Sequence, residues 1–522
     1  MPLKQVARAA ARRPFWLAAA PFAPALAIVL PDGGPGLWAG LMMGALALSA
    51  AVIHLQLPWA LDRARSAAAE PDPSAWSLNG PSSGKLSSLQ LWEARLNHGW
   101  SVTAGKALRN IAESEEEHGE TRVRALAALC AHRAARGRVL ESGRSLEVDI
   151  VIVSTLNLRG GTSSANEAEI LAYRSAGLKV ALVHHPVMDR AMDRPFEARL
   201  RALIDEERVF EVRPGDSVRC DLAIVRFPVA LEKLMDDRPR IEAARTVLLV
   251  NQTPFEEYGP TGGYGTAWSI REVHRNVTAW LGAHTWYAIG PAVRDVLREH
   301  HAGEIAGVDL ADDFWYETID VGAWTPEVRR VRVEGDPIRI GRHSRDHVTK
   351  FPNMARRFRA AYPDAEDMEV HMLGGHDAIS QILGAIPPRW TSHRFGAMSV
   401  VDFLAGVDVY VYFIDENLAE AFGRAPLEAM AAGVPCILPH SFAELFGDGA
   451  LYCEPDGVEA EVRRLVADPV FFEERAGAGL RVVQERFSPE ALLRKVDGLR
   501  VAARPQPEMA RPVAALSQGG TP

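Results

Sequence analysis

The chain has 522 residues, of which 48% are apolar, 7% aromatic and 24% charged. A composition so close to the globular average excludes a fibrous, collagen-like or wholly disordered protein, and at roughly 100–200 residues per domain it predicts two to four units. The net charge of −9 is spread along the sequence, which argues against nucleic acid as a partner.

Residues 1–65 read as a membrane hairpin. Pro14 to Leu30 and Leu37 to Leu57 are uncharged apolar runs joined by Pro31-Asp32-Gly33-Gly34-Pro35-Gly36. The second run is long enough to cross a bilayer; the first is shorter and carries Pro21 and Pro24. Lys4, Arg8, Arg12 and Arg13 precede the runs and Arg63 and Arg65 follow them, while the turn holds no cation. The positive-inside rule then predicts both ends, and the domains that follow, on the cytoplasmic side of an inner or plasma membrane. A cleaved signal peptide and a buried soluble hairpin are the alternatives. Cys130, Cys220, Cys436 and Cys453 lie too far apart for a zinc or redox motif, as expected of a reducing compartment.

Residues 66–85 are rich in Pro, Ser, Ala and Gly and read as a linker. Over 86–145 the periodicity is helical, with Leu89, Trp92 and Leu96 on one face, Leu108 and Ile111 on another, and Val123, Leu126, Leu129 and Cys130 on a third. Gly99 and Gly119 would divide this segment into three short helices with a packing role.

From 146 the rhythm becomes strand, loop, helix. Val148 to Val153 is a buried strand, followed by the glycine loop at Gly160-Gly161, a helix from Asn166 to Ser175, and a strand from Lys179 to His184. Further strands are expected at Val209 to Val212, Asp221 to Phe227, Thr246 to Asn251 and, more weakly, Trp286 to Ile289. A second such run starts at Ile338 to Gly341, with a helix near Asn353 to Ala361, strands Glu369 to Leu373 and Val407 to Phe413, a helix from Ala425 to Ala432, and a strand Pro435 to Pro439. The fold class is therefore α/β, with two doubly wound Rossmann-like domains at 146–322 and 337–502, preceded by the hairpin and the helical segment. Ligands of such sheets bind at the carboxyl ends of the strands. The Pro-rich residues 503–522 read as a disordered tail.

The chemistry centres on Glu420-Ala-Phe-Gly-Arg-Ala-Pro-Leu-Glu428-Ala-Met-Ala-Ala-Gly433-Val-Pro, which follows a buried strand and opens a helix, with Pro426 suited to its first turn and Gly433 to its end. Two carboxylates eight residues apart can border one crevice without touching. Together with Asp408-Val-Tyr-Val-Tyr-Phe-Ile this stretch resembles the donor-site signature of retaining glycosyltransferases of the GT-B fold, family 4 in particular. Gly341-Arg342 with Lys350 is similar to that family's cationic loop for the donor diphosphate. Met372-Leu373-Gly374-Gly375 resembles its step before the nucleotide, Gly160-Gly161 its N-terminal glycine loop, and Ile319-Asp320-Val321-Gly322 its interdomain segment. The resemblance covers about 146 to 500. Two departures stand out: Arg342 and Lys350 are eight residues apart, three more than is usual in the family, with Arg345 between them, and Ile414-Asp415-Glu416-Asn417 replaces the usual Pro-Ser pair.

The resemblance implies a membrane-anchored enzyme that moves a hexose, with retention, from a nucleotide-diphosphate sugar to a membrane lipid, a lipid-linked glycan or a surface-polysaccharide acceptor. Arg342 and Lys350 would meet the leaving diphosphate, and Gly160 and Gly161 would add backbone N–H groups. Glu428 would accept the ribose hydroxyls, and Glu420 would hold the donor sugar, with Phe422 and Gly423 letting the backbone approach it. His184, with His185, ends a strand beside the glycine loop and would face the acceptor unless it bonds locally. Asn251-Gln252 ends another strand, and Phe314-Trp315-Tyr316 with Trp324 reads as interdomain packing. No cofactor is implied, since the nucleotide sugar is a substrate. No metal is implied either, and the lack of an Asp-x-Asp motif speaks against the metal-dependent GT-A class. The alternatives are a non-catalytic glycan-sensing or scaffold protein on the same fold, or another GT-B enzyme such as a nucleotide-sugar epimerase or a phosphorylase.

Overall fold

The computed structural model describes residues 88–141, 143–158, 160–190, 192, 194–259 and 262–503. The expected membrane hairpin at 1–65, the linker at 66–85 and residues 504–522 of the expected tail lie outside these. No helix among the described residues is long and apolar enough to cross a membrane.

Helices α1 (Ser88–Asn97), α2 (Ser101–Glu113) and α3 (Gly119–Glu141) form the predicted helical segment. Leu89, Leu96, Ala104, Leu108 and Ala125 make its core. The predicted face of α3 is corrected: Val123 and Leu126 are 68% and 55% exposed and Cys130 is exposed. Small side chains face inward instead, because Ala104 and Ala125 let α2 and α3 approach closely where branched residues would hold them apart. The segment is seated on the next domain by Trp100, packed with Met192 and Met235. The Asp236 carboxylate accepts the amide N–H groups of Val102 and Thr103 at the start of α2, at 2.9 and 3.3 Å.

The first α/β domain contains β1 (Ser145–Ser154), α4 (Gly161–Ser175), β2 (Val180–His184), β3 (Val209–Glu211), β4 (Ser217–Arg226), β5 (Arg240–Val250), a hairpin of β6 (Phe255–Gly259) and β7 (Gly262–Thr266), α5 (Ile270–Leu281), β8 (Thr285–Ala288), α6 (Pro291–His300) and β9 (Asp309–Leu310). Its sheet runs in the order β3-β2-β1-β4-β5-β8-β9, with all neighbours parallel. Helix α4 starts at Gly161, not at Asn166, so the glycine loop is already the first helical turn.

The second domain contains β10 (Ile338–His343), α7 (Ala355–Ala361), β11 (Met368–Leu373), α8 (His376–Leu383), β12 (Trp390–His393), α9 (Val400–Ala405), β13 (Val409–Val411), α10 (Arg424–Ala431), β14 (Cys436–Leu438), β15 (Leu451–Tyr452), α11 (Val458–Ala467), α12 (Pro469–Val482) and α13 (Pro489–Ala503). Its order is β12-β11-β10-β13-β14-β15. Counted within each domain, both sheets begin 3-2-1-4-5, so their topological switch points fall between β1 and β4 and between β10 and β13.

Helix α13 does not stay with the second domain, to which a boundary at 502 would assign it. Leu492 and Val496 join the first sheet's outer core. Arg500, 7% exposed, pairs with Asp149 and with Asp221. One apolar core also runs through both domains, from Val151 and Leu248 to Leu427 and Phe487.

Candidate active site

At the second switch point, three pieces of chain converge: the end of β10, the loop after β13, and the start of α10. Lys350 ends a short 3-10 turn after β10. Its Nζ lies 2.5 Å from Glu420 Oε2, each side chain 16% exposed. Tyr412 donates its hydroxyl to the same Oε2 at 3.1 Å. Burial opposes the charge of Glu420, but the adjacent ammonium outweighs it and holds the carboxyl below its ordinary range. The cation and the carboxylate that the sequence assigned to separate tasks are therefore bonded to one another.

Arg342 is placed differently from the expectation. It is 1% exposed, and its guanidinium lies 4.2 Å from the Phe351 ring and 4.5 Å from that of Tyr412. It donates to the Tyr362 hydroxyl at 2.7 Å, to the Phe413 carbonyl at 2.5 Å, and to the Lys350 carbonyl. So Arg342 is a buried clamp that fixes Lys350 against the strand end through three bonds from its Nη atoms. Arg345, in the same loop, is exposed and electrostatically lowers the Glu420 carboxyl.

Glu428, on α10, is held at both ends: Arg424 Nε donates to Oε1 at 3.0 Å, and His343 Nε2 meets Oε2 at 2.9 Å. A carboxylate has about four acceptor positions, so two stay available for a ligand. Gly423 caps α10 at φ +82°, where a Cβ would stand 2.6 Å from the Phe442 ring. This backbone and the buried Phe422 bring the loop under Glu420. Gly374 has the same necessity: at φ +86° its Cβ would lie 1.9 Å from the Ser344 carbonyl.

The loop that carries Lys350 is held by the segment after β13. The Asp415 amide donates to the Thr349 carbonyl at 3.2 Å, Asn353 donates to the Asp415 carboxylate at 2.9 Å, and Arg357 pairs with Glu416 at 2.6 Å. Asp415 and Glu416 thus fasten the chain from Thr349 to Arg357. From the first domain, the β6–β7 hairpin adds the Tyr258 amide, which donates to the Asn417 carbonyl at 3.0 Å.

A cavity of about 90 Å³ beside Glu420 is lined by Pro291 and Ala292 of the first domain and by Leu418, Ala421, Ser441 and Phe442 of the second. Gly160 and Gly161 lie in open space at the first domain's switch point, with nothing within 4 Å of a built Cβ. His184 takes the local role: the Leu156 amide donates to its Nδ1 at 3.0 Å, and burial pushes its pKa down to about 3. Asn251 donates to the Thr162 hydroxyl at 3.1 Å. Trp315 is buried, and Tyr316 packs on Phe422 and Phe487, with centroids 6.4 and 5.0 Å away. The sequence reading missed Tyr412 as a partner of Glu420, and it missed Arg424, although Arg424 stands four residues before Glu428 on one helix, a spacing that brings side chains together.

Among the described residues no group of three or more His, Cys, Asp or Glu is arranged to hold a metal ion.

No protein-family model matches the chain, and no curated protein does. Solved structures align with it at low identity. The Anabaena protein HepE in complex with UDP-glucose is 14% identical, with a TM-score of 0.46, over 68% of this chain and 100% of that one. A glycosyltransferase from Rickettsia africae is 12% identical, with a TM-score of 0.44, over 69% and 99%. An alpha-glucosyltransferase in complex with UDP is 12% identical, with a TM-score of 0.43, over 68% and 100%.

Proposed function

We propose that the protein is a GT-B glycosyltransferase that takes a hexose from a nucleotide-diphosphate sugar with retention of configuration. The observation that carries this reading is that the Lys350–Glu420 pair and Glu428, which is bonded to His343 at the end of β10, both lie by the second switch point, at the carboxyl ends of parallel strands. There the charge requirements of such a donor are met in sequence: a cation for the diphosphate, an acceptor for ribose hydroxyls and a carboxylate beside the sugar. In this reading Lys350 leaves Glu420 for the incoming diphosphate, and Glu420 is then free to hold sugar hydroxyls and to support positive character at the anomeric carbon. Arg342 acts behind Lys350, and Arg345 supplies a second cation at the mouth. The acceptor enters from the first domain's switch point, past Gly160 and Gly161. The apolar runs at 14–30 and 37–57 support a membrane anchor with cytoplasmic domains, and hence a lipid or lipid-linked acceptor; reporter fusions after Ala67 and at the C-terminus should both report cytoplasm.

The test of the donor is a panel of UDP-, GDP-, ADP- and dTDP-sugars against the purified chain. One of them should raise the melting temperature, because a ligand bound only by the native state stabilises it. A flat response across the panel contradicts the reading.

A further inference from the structure

Arg424 joins the two domains through one guanidinium. Besides holding Glu428, its Nη1 donates to the Thr318 carbonyl at 3.0 Å and lies 3.5 Å from Glu317 Oε2. Glu317 and Thr318 belong to the segment between β9 and β10, which is held beyond Glu317 by Thr318 and Ile319 bonded to the Phe487 carbonyl, at 3.0 and 2.8 Å, and before it by the first domain. The Trp315 amide donates to the Ala288 carbonyl at 2.9 Å, and the Trp315 indole donates to Glu169 Oε1 at 3.0 Å. A chain of contacts therefore runs from the first domain through Glu317, Arg424 and Glu428 to His343 at the end of β10.

Glu317 is a costly residue in this place. Burial raises its carboxyl above the ordinary value against the pull of Arg424 and Arg226, and the carboxylates of Glu428 and Glu169 raise it further. Its Oε2 lies in ion-pair reach of Arg424 but accepts no hydrogen bond among the described residues. Packing alone would be served as well by an apolar side chain.

We propose that Glu317 is a positioning residue for the donor site: reaching Arg424 from the first domain, it sets the orientation of Glu428, so that the site is complete only when the domains are together. This rests on the assignment of Glu428 to the donor made above. Glu428 has two oxygens to present to a ribose, and Arg424 decides which lone pairs are left. An Arg424 released from Glu317 can rotate with the domain motion and take Glu428 with it.

The experiment is calorimetric titration of the full chain with UDP, GDP, ADP and dTDP, repeated on variants confirmed as folded by circular dichroism. Glu317→Ala should weaken binding of the preferred nucleotide by about tenfold or more, whereas Glu317→Gln, which keeps an acceptor oxygen at the same reach, should stay within about threefold of wild type. Arg294→Ala is the control. It breaks a different interdomain pair, Arg294 with Glu444 at 2.7 Å, and should lower the melting temperature while leaving affinity unchanged. Equal losses in Glu317→Ala and Arg294→Ala would show that domain contact in general is at work and overturn the proposal, as would wild-type affinity in Glu317→Ala. If Glu317→Ala does not fold, Arg424→Lys carries the test, since a lysine cannot span Glu428, Thr318 and Glu317 together; wild-type affinity there overturns the proposal. Failure of the wild-type chain to bind any of the four nucleotides removes the reading of the donor site itself, an outcome distinct from the others.

Discussion

Lys350 cannot serve Glu420 and a diphosphate at full strength together, and this competition fixes what single substitutions should do. Glu420→Gln removes the carboxylate that holds the ammonium, so it should bind nucleoside diphosphate at least as tightly as wild type by calorimetry. Glu428→Ala should weaken that binding and raise KM for the donor more than it lowers kcat, because a ribose contact is made in ground and transition states alike. Lys350→Met leaves Glu420 mostly buried, with Tyr412 as its remaining hydrogen-bond partner. Breaking a buried pair in this way should cost about 3 kcal/mol in denaturant unfolding. The sign of the pH effect follows from the depressed Glu420 carboxyl. Its contribution to stability is present above the ordinary carboxylate pKa and is lost as pH falls through the lower folded value, and Lys350→Met should lose that acid-side slope. At this scale spacing alone was weak evidence for the two glutamates, and the lysine was singled out only by the resemblance of the surrounding motifs; the structure brings Lys350 and Glu420 together. The role of Arg342 was not legible, because a strand-end arginine near a lysine looks the same in sequence whether its guanidinium meets solvent or is held between Phe351 and Tyr412.

Strands were the readable elements, since buried parallel strands appear as continuous apolar runs, and Val148 to Val153 lies within the observed β1. The β6–β7 hairpin was invisible because Phe255-Glu-Glu-Tyr-Gly and Gly262-Gly-Tyr-Gly-Thr carry neither an apolar run nor a clear alternation. Its position follows from Phe255 stacked on His301, with centroids 5.1 Å apart, a contact between distant stretches of chain. The inward face of α3 was misread for the same kind of reason, as alanines give no stripe until the neighbouring helix is present. The end of β2 carries a prediction of its own. His184 and His185 are both kept neutral by burial, with pKa values near 3 and 4. In the unfolded chain each takes up a proton below its ordinary 6.5, so folding stability should fall as pH drops from that value toward the folded ones. For each histidine the loss by about pH 5 is on the order of 2 kcal/mol. Urea unfolding of wild type and His184→Gln at about pH 7 and about pH 5 checks this: the variant should lose less on acidification, and equal losses would contradict it.

For the whole molecule, two sheets of one topology share a core, and the last helix among the described residues returns to the first sheet. Two doubly wound halves could be read from the repeated strand-helix rhythm; the return of α13 could not, since its apolar positions Leu492 and Val496 suit either sheet. The returning helix ties Arg500 to Asp149 and Asp221, so Arg500→Ala should destabilise the chain by about 2 kcal/mol through the loss of its charged hydrogen bonds to the two carboxylates. A scanning-calorimetry trace should show the first domain melting earlier. The central claim is that a nucleotide sugar reacts beside Glu420, and hydrolytic release of nucleoside diphosphate from the donor picked out by melting, with water taking the sugar in place of the acceptor, tests it most directly. Wild type should release it steadily, and Glu420→Gln should do so on the order of a hundredfold more slowly, as expected when a group that places the reacting sugar is lost, while its nucleotide affinity is kept. No release by wild type from any donor in the panel, or release by Glu420→Gln at the wild-type rate, would contradict the account.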